Sequence, residues 1–438
     1  MSAKHKLFQG AVILTAAGFI SRIMGFFFRI FLSHAFGEEN VGLYQLIFPV
    51  YTLCLAVGTS GIQTAVSRIT AEKVSLGKTG EAKTVLSIAL CLTLIISFIE
   101  ILLIQGNASF IAASFLGDVR CADLLIIISY ALPCAAVHSC ISGYSLGLQD
   151  TKLPAISQLI EQVLRILFVL LLFFFLQDAG RTPSVQIAAA GIVAGETASA
   201  VFSVQMLSRR RRPGSFPRLG RISESLRLLL GQSLPLTANR TIVTLLQSIE
   251  AASIPACLKL YGMDASEAVS LYGVLTGMAL PCILFPSAIT NSVGTVLMPA
   301  VSATSVSGSR RALLQLLKKA VGSCFILGLS CCLFFLIFGD LIGTMLFHSE
   351  SAGRFILTLA WICPFLYTNT ALLSAINGYG KTTSTFLINT CGLAVRIAGV
   401  FLAIPCFGIQ GYLWGLLLSQ LIVSVLALAV LISHALKA

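Results

Sequence analysis

The chain has 438 residues, of which 57% are hydrophobic and only 11% are charged, and its mean hydropathy is +0.93. A soluble protein carries about 25% charged residues, so composition excludes a soluble globular protein and predicts an all-α polytopic membrane protein. The net charge of +12 would be consistent with nucleic-acid binding in a soluble protein. The distribution of the basic residues, described below, argues against that partner.

Hydropathy predicts about 12 transmembrane helices, each near the roughly 20 residues that cross the hydrocarbon layer. The first follows Lys4 and Lys6, but it runs past a signal-peptide core and contains Arg22 and Arg29. We therefore expect a retained helix rather than a cleaved signal. The predicted spans are 8–33, 41–66, 85–105, 122–147, 154–177, 186–208, 226–256, 268–300, 321–345, 355–377, 385–405 and 411–433.

The basic residues outside the spans are distributed unevenly between the two sides of the membrane. With the N-terminus placed inside, 20 Lys and Arg fall on the cytoplasmic side and 4 outside, and 5 arginines within spans complete the 29. This bias predicts a multi-pass membrane protein with both termini in the cytoplasm. The basic loops are expected to contact anionic lipids rather than nucleic acid.

Residue types that hold metals or perform catalysis form no recognisable motif in the sequence. The 13 cysteines include no CxxC pair, and none of the 5 histidines has a second ligand at metal spacing. There is no GxSxG, HExxH or P-loop pattern. We therefore predict no metal site, no cofactor and no enzymatic activity. An intramembrane glycan-processing enzyme remains an alternative that would require a catalytic set.

The spans are arranged as two similar halves. A basic cytoplasmic loop at 209–222 separates an N-terminal six-helix lobe, 1–208, from a C-terminal six-helix lobe, 223–438. Parallel repeats of this kind are typical of transporters, with a substrate site in a central cavity, whereas channels are usually built around a selectivity filter. At a fixed offset of 231, four matches link the halves: Pro133 with Pro364, Gly147 with Gly378, Thr151 with Thr382, and Arg165 with Arg396.

Arginine within a span is costly and cannot lose its proton, so it is expected to face a protein interior or a wet cavity. Arg22 and Arg29 are two helical turns apart, with stems about 10 Å apart along the axis, a spacing that suits a diphosphate. The alternative is that each pairs locally or extends to the membrane interface. Arg240 lies in the polar stretch Ser233–Thr241, which favours a position facing the cavity.

Glu161 and Arg165 are four residues apart in the order that favours an ion pair within one helix. We interpret them as a structural, self-neutralised pair. The repeat mate Arg396 has Gly392 in place of the glutamate, so it is a better candidate for contacting substrate.

Three acidic residues in or near spans, Glu100, Glu196 and Glu250, can titrate or bind an ion. Glu250 is the predicted ion-coupling residue, because Thr244, Gln247 and Ser248 are close in sequence. His138 is interpreted as a packed or hydrogen-bonded histidine, with a proton-relay role as the alternative.

Two blocks of the sequence carry a family resemblance. The opening block runs from Gly18 through Ser21-Arg22 to Gly25 and Arg29, then Gly37 and Val41-Gly42-Leu43-Tyr44-Gln45. The second block runs from Leu271-Tyr272-Gly273 to Pro281 and continues at Thr295 to Ala300. Both blocks resemble the stage V sporulation protein B family, which is related to the lipid II flippase MurJ within the superfamily of oligosaccharide flippases and multidrug and toxin extruders.

The resemblance implies two six-helix lobes around a cationic cavity and export of a polyprenyl-diphosphate-linked glycan precursor across the bacterial cytoplasmic membrane by alternating access. It assigns Arg22 and Arg29 to the diphosphate. It also places Glu250 where the family's flippases have an acidic residue on the seventh helix, a position that implies ion coupling. Coupling to Na⁺, H⁺ or the membrane potential is open, and a monomer is expected. The alternative function is a cation- or proton-coupled multidrug antiporter with the same fold.

Two features depart from the family pattern. Typical members have fourteen spans, whereas this sequence predicts twelve. The arginine-aspartate dipeptide of the first helix is also absent, because Ile30 follows Arg29. Both departures argue against lipid II as the substrate more than they argue against membership of the superfamily.

Overall fold

The computed structural model describes residues 3–209, 219–306 and 310–437, and these residues form helices joined by short turns, with no strand among them. The helices of the N-terminal part are α1 Ala3–Leu46, α2 Phe48–Leu55, α3 Gly61–Ser75, α4 Thr79–Phe110, α5 Cys121–Ser129, α6 Ala131–Gly147, α7 Lys152–Asp178, α8 Gln186–Arg209 and α9 Leu219–Leu260.

The C-terminal part is built in the same way from helices and short breaks. Its helices are α10 Ala265–Gly273, α11 Leu280–Leu284, α12 Ser287–Val306, α13 Arg310–Phe347, α14 Glu350–Ala360, α15 Cys363–Gly378, α16 Thr382–Ala398, α17 Ile404–Phe407 and α18 Ile409–Lys437. Segments of π-helix, in which the hydrogen bonds are wider than in an α-helix, lie at Ala56–Ser60, Ile111–Leu116, Val274–Ala279 and Gly399–Ala403.

By length and composition, nine helices among the described residues could cross a membrane, or up to eleven if each bent pair forms one span. The first of the nine, Val12–Ser75, covers two of the twelve predicted spans. Helix continues on both sides of the connection expected near residues 34–40, and only Gly37 has non-helical angles there. The protein is thus an all-α, multi-pass membrane protein.

The basic loop predicted at 209–222 is described only at its ends. Residues 210–218 lie outside the described residues, Arg209 ends α8, and α9 is already helical from Leu219. The last four residues of the predicted loop are therefore helical. They extend a helix that crosses the membrane rather than connecting two helices.

Contacts divide the chain into two compact units. The first unit contains Met1–Phe28 and Leu46–Ala252, and the second contains Arg29–Gln45 and Ser253–Ala438. The predicted lobes, 1–208 and 223–438, were defined by counting spans, whereas these units are defined by packing. The division into six and six helices therefore stays a prediction.

The offset of 231 predicted from sequence is reproduced in the packing within each unit. A Cβ added to Gly147 of α6 would lie 2.6 Å from the carbonyl oxygen of Ser67 in α3. In the second unit, a Cβ added to Gly378 would lie 2.6 Å from the carbonyl oxygen of Met298 in α12. Because 147 and 378, and 67 and 298, both differ by 231, the two units use equivalent residues for equivalent helix crossings.

The bent helices repeat at the same offset. The pair α5 and α6 is bent by 41°, and the pair α14 and α15 by 53°. Apolar cores surround the repeated crossings: Val66 and Cys140 are buried in the first unit, and Leu297 and Ala371 occupy the equivalent places in the second. These elements fix the position of the polar residues described next.

Candidate functional site

Five ionisable side chains meet inside the first unit. Tyr51 of α2, His138 of α6, Glu161 and Arg165 of α7, and Glu196 of α8 form what we call the α7–α8 cluster. Tyr51 donates a hydrogen bond of 3.2 Å to Oε1 of Glu196. The Arg165 guanidinium contacts the Glu161 carboxylate, as their spacing predicts. The pair is part of a larger network, which its spacing alone does not show.

A glycine of α8, Gly195, allows α7 and α8 to approach closely enough for the cluster to form. A Cβ added to Gly195 would lie 2.7 Å from the carbonyl oxygen of Glu161 and 3.1 Å from Cβ of Arg165. Real Cβ atoms do not approach a backbone oxygen so closely, so only glycine permits this contact between α7 and α8. The neighbouring residue Glu196 is thereby held beside Glu161.

Hydrogen bonding fixes the ring orientation of His138. Its Nε2 lies 3.0 Å from the hydroxyl of Ser157, and that hydroxyl donates to the carbonyl oxygen of Pro154 at 3.0 Å. The other nitrogen, Nδ1, faces Oε2 of Glu196 at 3.7 Å.

The ligand-type atoms of His138, Glu161 and Glu196 lie within 4.8 Å of one another, a spacing that a small cation could bridge. The sequence predicted no metal site because these residues come from three helices, so no local spacing reveals them. Arg165 already supplies a positive charge to this cluster.

The predicted substrate arginines fall into two groups. Arg22 of α1 and Arg240 of α9 belong to the first unit, and their side chains are exposed. Arg29 and Arg396 belong to the second unit and are part-buried. The assignment of the four to a substrate stays a prediction.

The two part-buried arginines, Arg29 and Arg396, lie beside backbone groups of the second unit. Arg29 donates from Nη1 to the carbonyl oxygen of Thr276 at 3.0 Å, within the π-helical segment Val274–Ala279. One turn before Arg396, Gly392 occupies the place of Glu161, and its carbonyl oxygen accepts a hydrogen bond of 2.8 Å from Ser419. A serine–backbone contact thus stands in the second unit where the first has a carboxylate.

The predicted ion-coupling residue, Glu250, is buried, with 5% of its surface exposed. Two residues before it, Ser248 donates to the carbonyl oxygen of Pro49 at 2.8 Å, which ties α9 to the start of α2. The carboxylate of Glu100 lies beside Gly58, near the middle of the first π-helical segment. An ion-coupling role for Glu250 stays a prediction.

Residues 7–305 of the chain match the family described as polysaccharide biosynthesis protein. The chain belongs to this family. The chain is 27% identical to stage V sporulation protein B of Bacillus subtilis (strain 168) over 434 residues, which are 97% of this chain and 83% of the relative. It is 30% identical over 173 residues to the lipid II flippase MurJ of the same organism, covering 38% of this chain and 32% of that protein.

Solved transporters share the fold of this chain. A lipid II flippase MurJ in an inward closed conformation superposes with a TM-score of 0.72 at 14% identity, covering 97% of this chain and 89% of that one. An inward-facing multidrug resistance transporter of the MATE family and MOP superfamily gives 0.71 at 17% identity, with 95% and 96% covered. The fold and family resemblance expected from the sequence blocks are thus confirmed.

Proposed function

We propose that this protein is a flippase that exports a polyprenyl-diphosphate-linked glycan precursor across the cytoplasmic membrane by alternating access. The precursor is a lipid II-like molecule or a surface-polysaccharide unit. Alternating access opens the binding site to one side of the membrane at a time. The protein performs no covalent chemistry in this proposal, in keeping with the flippases and transporters to which it is similar.

The observation that carries the proposal is the exposure of Arg22 and Arg240 within apolar helices that are long enough to cross a membrane. A guanidinium at bilayer depth costs at least about 2.5–3.5 kcal/mol, so it requires water or an anionic group. A diphosphate supplies several anionic oxygens that accept the paired N–H donors of arginine. Arg22 and Arg240 are therefore our first choice for the diphosphate, with Arg29 and Arg396 as further candidates.

Two findings from the relatives support the same substrate class. The family match carries the name of polysaccharide biosynthesis, and a relative with 30% identity over 173 residues is named a lipid II flippase. Cytoplasmic placement of both termini, contact with anionic lipids and action as a monomer complete the proposal. The excess of Lys and Arg on one side of the predicted spans supports the orientation.

Binding to the purified protein in nanodiscs tests the substrate class. Undecaprenyl diphosphate is the probe, ethidium is the cationic competitor, and Arg181→Ala is the matched control because Arg181 is an exposed arginine between α7 and α8. We expect Arg22→Ala and Arg240→Ala each to weaken undecaprenyl diphosphate binding about 10-fold or more, since a hydrogen bond to a charged group contributes about 1.5–3 kcal/mol.

The control should bind the lipid as the wild type does. Tight ethidium binding that Arg22→Ala leaves unchanged, without binding of undecaprenyl diphosphate, would show a drug transporter instead.

A further inference from the structure

Two histidines that are distant in the sequence lie side by side in the second unit. Nε2 of His34 in α1 lies 2.8 Å from Nδ1 of His348, in the turn between α13 and α14. Both side chains are exposed, and both residues fall in connections that the distribution of basic residues predicts on the outer side of the membrane. Because 314 residues separate the two histidines, spacing in the sequence could not reveal the pair.

The backbone segments that carry the two rings are joined directly beside the pair. The buried residue Ser33 donates from its hydroxyl to the carbonyl oxygen of Phe347 at 2.9 Å, and Phe347 is buried too. On the other side of His348, the buried hydroxyl of Ser349 accepts from the backbone N–H of Ala352 at 3.0 Å, at the start of α14. Buried, hydrogen-bonded neighbours thus hold both rings in place.

The backbone of His348 has an uncommon conformation. Its φ is 51°, in the left-handed region that residues other than glycine rarely adopt. The next residue, Ser349, donates from its backbone N–H to the carbonyl oxygen of Gly343 at 3.0 Å, which closes the end of α13 around this conformation. The tight turn brings the His348 ring against His34.

The separation of the two ring nitrogens fits a shared metal ion. Two nitrogens that lie about 2.0 Å from one ion are about 2.8 Å apart when the angle between them is 90°, and about 3.3 Å apart when it is tetrahedral. The observed distance is 2.8 Å. Ligands at 90° are typical of Ni²⁺ and Cu²⁺, whereas structural Zn²⁺ sites are tetrahedral.

The orientation of the rings departs from that of a straight hydrogen bond. The ring centroids are 4.2 Å apart, and the ring planes are tilted by 55°. A straight N–H···N bond would place the rings end to end, with their centroids about 5 Å apart. The two rings are therefore bent relative to each other, as two ligands at adjacent positions of one ion are.

We propose that His34 and His348 bind one divalent transition-metal ion that holds its ligands at 90°, with Ni²⁺ or Cu²⁺ as the best fit. Nε2 of His34 and Nδ1 of His348 each supply a lone pair, and two water molecules leave the ion. Each neutral ring keeps its single hydrogen on its other nitrogen, so a hydrogen between the rings moves there through water. Among the described residues, no third histidine, cysteine or carboxylate forms a ligand set with this pair, so water fills the remaining positions.

A bound ion joins two segments of the second unit. His34 lies three residues before Gly37, where α1 has non-helical angles, and His348 connects α13 to α14. Because only folding brings the two ligands together, binding stabilises the folded state. This site is independent of the proposed flippase function.

Calorimetric titration with Ni²⁺ tests the site in the full-length protein. The protein carries no histidine tag, its accessible cysteines are blocked with N-ethylmaleimide, and it is held in nanodiscs. We expect one Ni²⁺ to bind per chain through the pair. His34→Ala and His348→Asn should each weaken binding about 10-fold or more, because loss of even an outer-shell partner weakens metal binding about 10–100-fold. Asparagine is used at position 348 because it tolerates the left-handed conformation.

The matched control is His138→Gln, which removes a histidine of the first unit and should bind Ni²⁺ as the wild type does. Ni²⁺ binding that His138→Gln abolishes and His34→Ala retains would overturn the proposal, because the ion would then lie in the α7–α8 cluster. Absence of binding, or unchanged binding in both His34→Ala and His348→Asn, would also overturn it and leave a hydrogen-bonded histidine pair only.

Unfolding by SDS in mixed micelles tests whether one ion bridges both histidines. Ni²⁺ at 100 times its dissociation constant should shift the unfolding equilibrium of the wild type about 100-fold toward the folded state. The shift should be lost in His34→Ala and in His348→Asn. Without Ni²⁺, both variants should unfold as the wild type does, which shows that the substitutions leave the fold intact. An equal Ni²⁺ shift in the wild type and the variants would contradict a bridging ion.

Discussion

The arginines in the membrane helices differ in what surrounds them. Arg165 contacts Glu161, and Arg29 donates to the Thr276 carbonyl oxygen, so both have contacts within their own units. Arg22 and Arg240 are exposed instead. Arg396, the repeat equivalent of Arg165, has no glutamate four residues before it, because Gly392 occupies the position equivalent to Glu161. Spacing within one helix therefore predicted the Glu161–Arg165 contact.

Spacing within one helix cannot predict contacts between residues of different helices. Glu196 and His138 join the pair through the packing of α6, α7 and α8, and their separations in sequence carry no periodic signal. Gly195 beside Glu196 was the available hint, because a glycine before a buried acid in a membrane helix suggests a close helix contact. The pattern alone could not show which helix makes that contact.

At the residue scale, removal of one partner of the ion pair should destabilise the first unit. We expect Arg165→Met to lower the free energy of unfolding by about 3 kcal/mol, because it leaves the Glu161 carboxylate without its cation. The double variant Glu161→Gln with Arg165→Met should recover most of this loss. Unfolding in mixed micelles by increasing SDS measures both. A single variant no less stable than the double would contradict the assignment of a structural pair.

At the scale of elements, hydropathy located the helices well because a membrane span must be long and apolar. It did not predict the π-helical segments, since these depend on local hydrogen bonding rather than on hydropathy. The connection expected near residues 34–40 contains Gly37, whose backbone angles are non-helical. The offset of 231 was visible in four matched residues, and the structure shows why one of those matches is a glycine. Gly147 and Gly378 each lie against a backbone carbonyl oxygen of a neighbouring helix.

The repeated crossings make a paired prediction. Gly147→Ala and Gly378→Ala should each lower the free energy of unfolding by about 1–3 kcal/mol, because the new Cβ would lie 2.6 Å from a backbone oxygen. Gly231→Ala in α9 is the control, since an added Cβ there meets no described atom within 4 Å. It should stabilise the helix by about 0.5–1 kcal/mol. Similar losses in all three variants would refute the equivalence of the two crossings.

At the scale of the whole molecule, composition was sufficient to predict a multi-pass helical protein, and the resemblance of two sequence blocks predicted the transporter fold. Both are confirmed by the helices and by the similarity to solved transporters. The fold does not determine the substrate, because transporters with the same fold carry different substrates. Only the chemistry of the binding site discriminates between those substrates. Exposed arginines favour an anionic head group over a cationic drug.

The most direct test of the proposed function measures movement of fluorescent lipid II between leaflets of proteoliposomes. We predict that the wild-type protein moves the lipid faster than protein-free vesicles do. The double variant Arg22→Ala with Arg240→Ala should slow this movement about 10-fold or more, whereas Arg181→Ala should not. Wild-type movement no faster than in protein-free vesicles, or an unchanged rate in the double variant, would contradict the account.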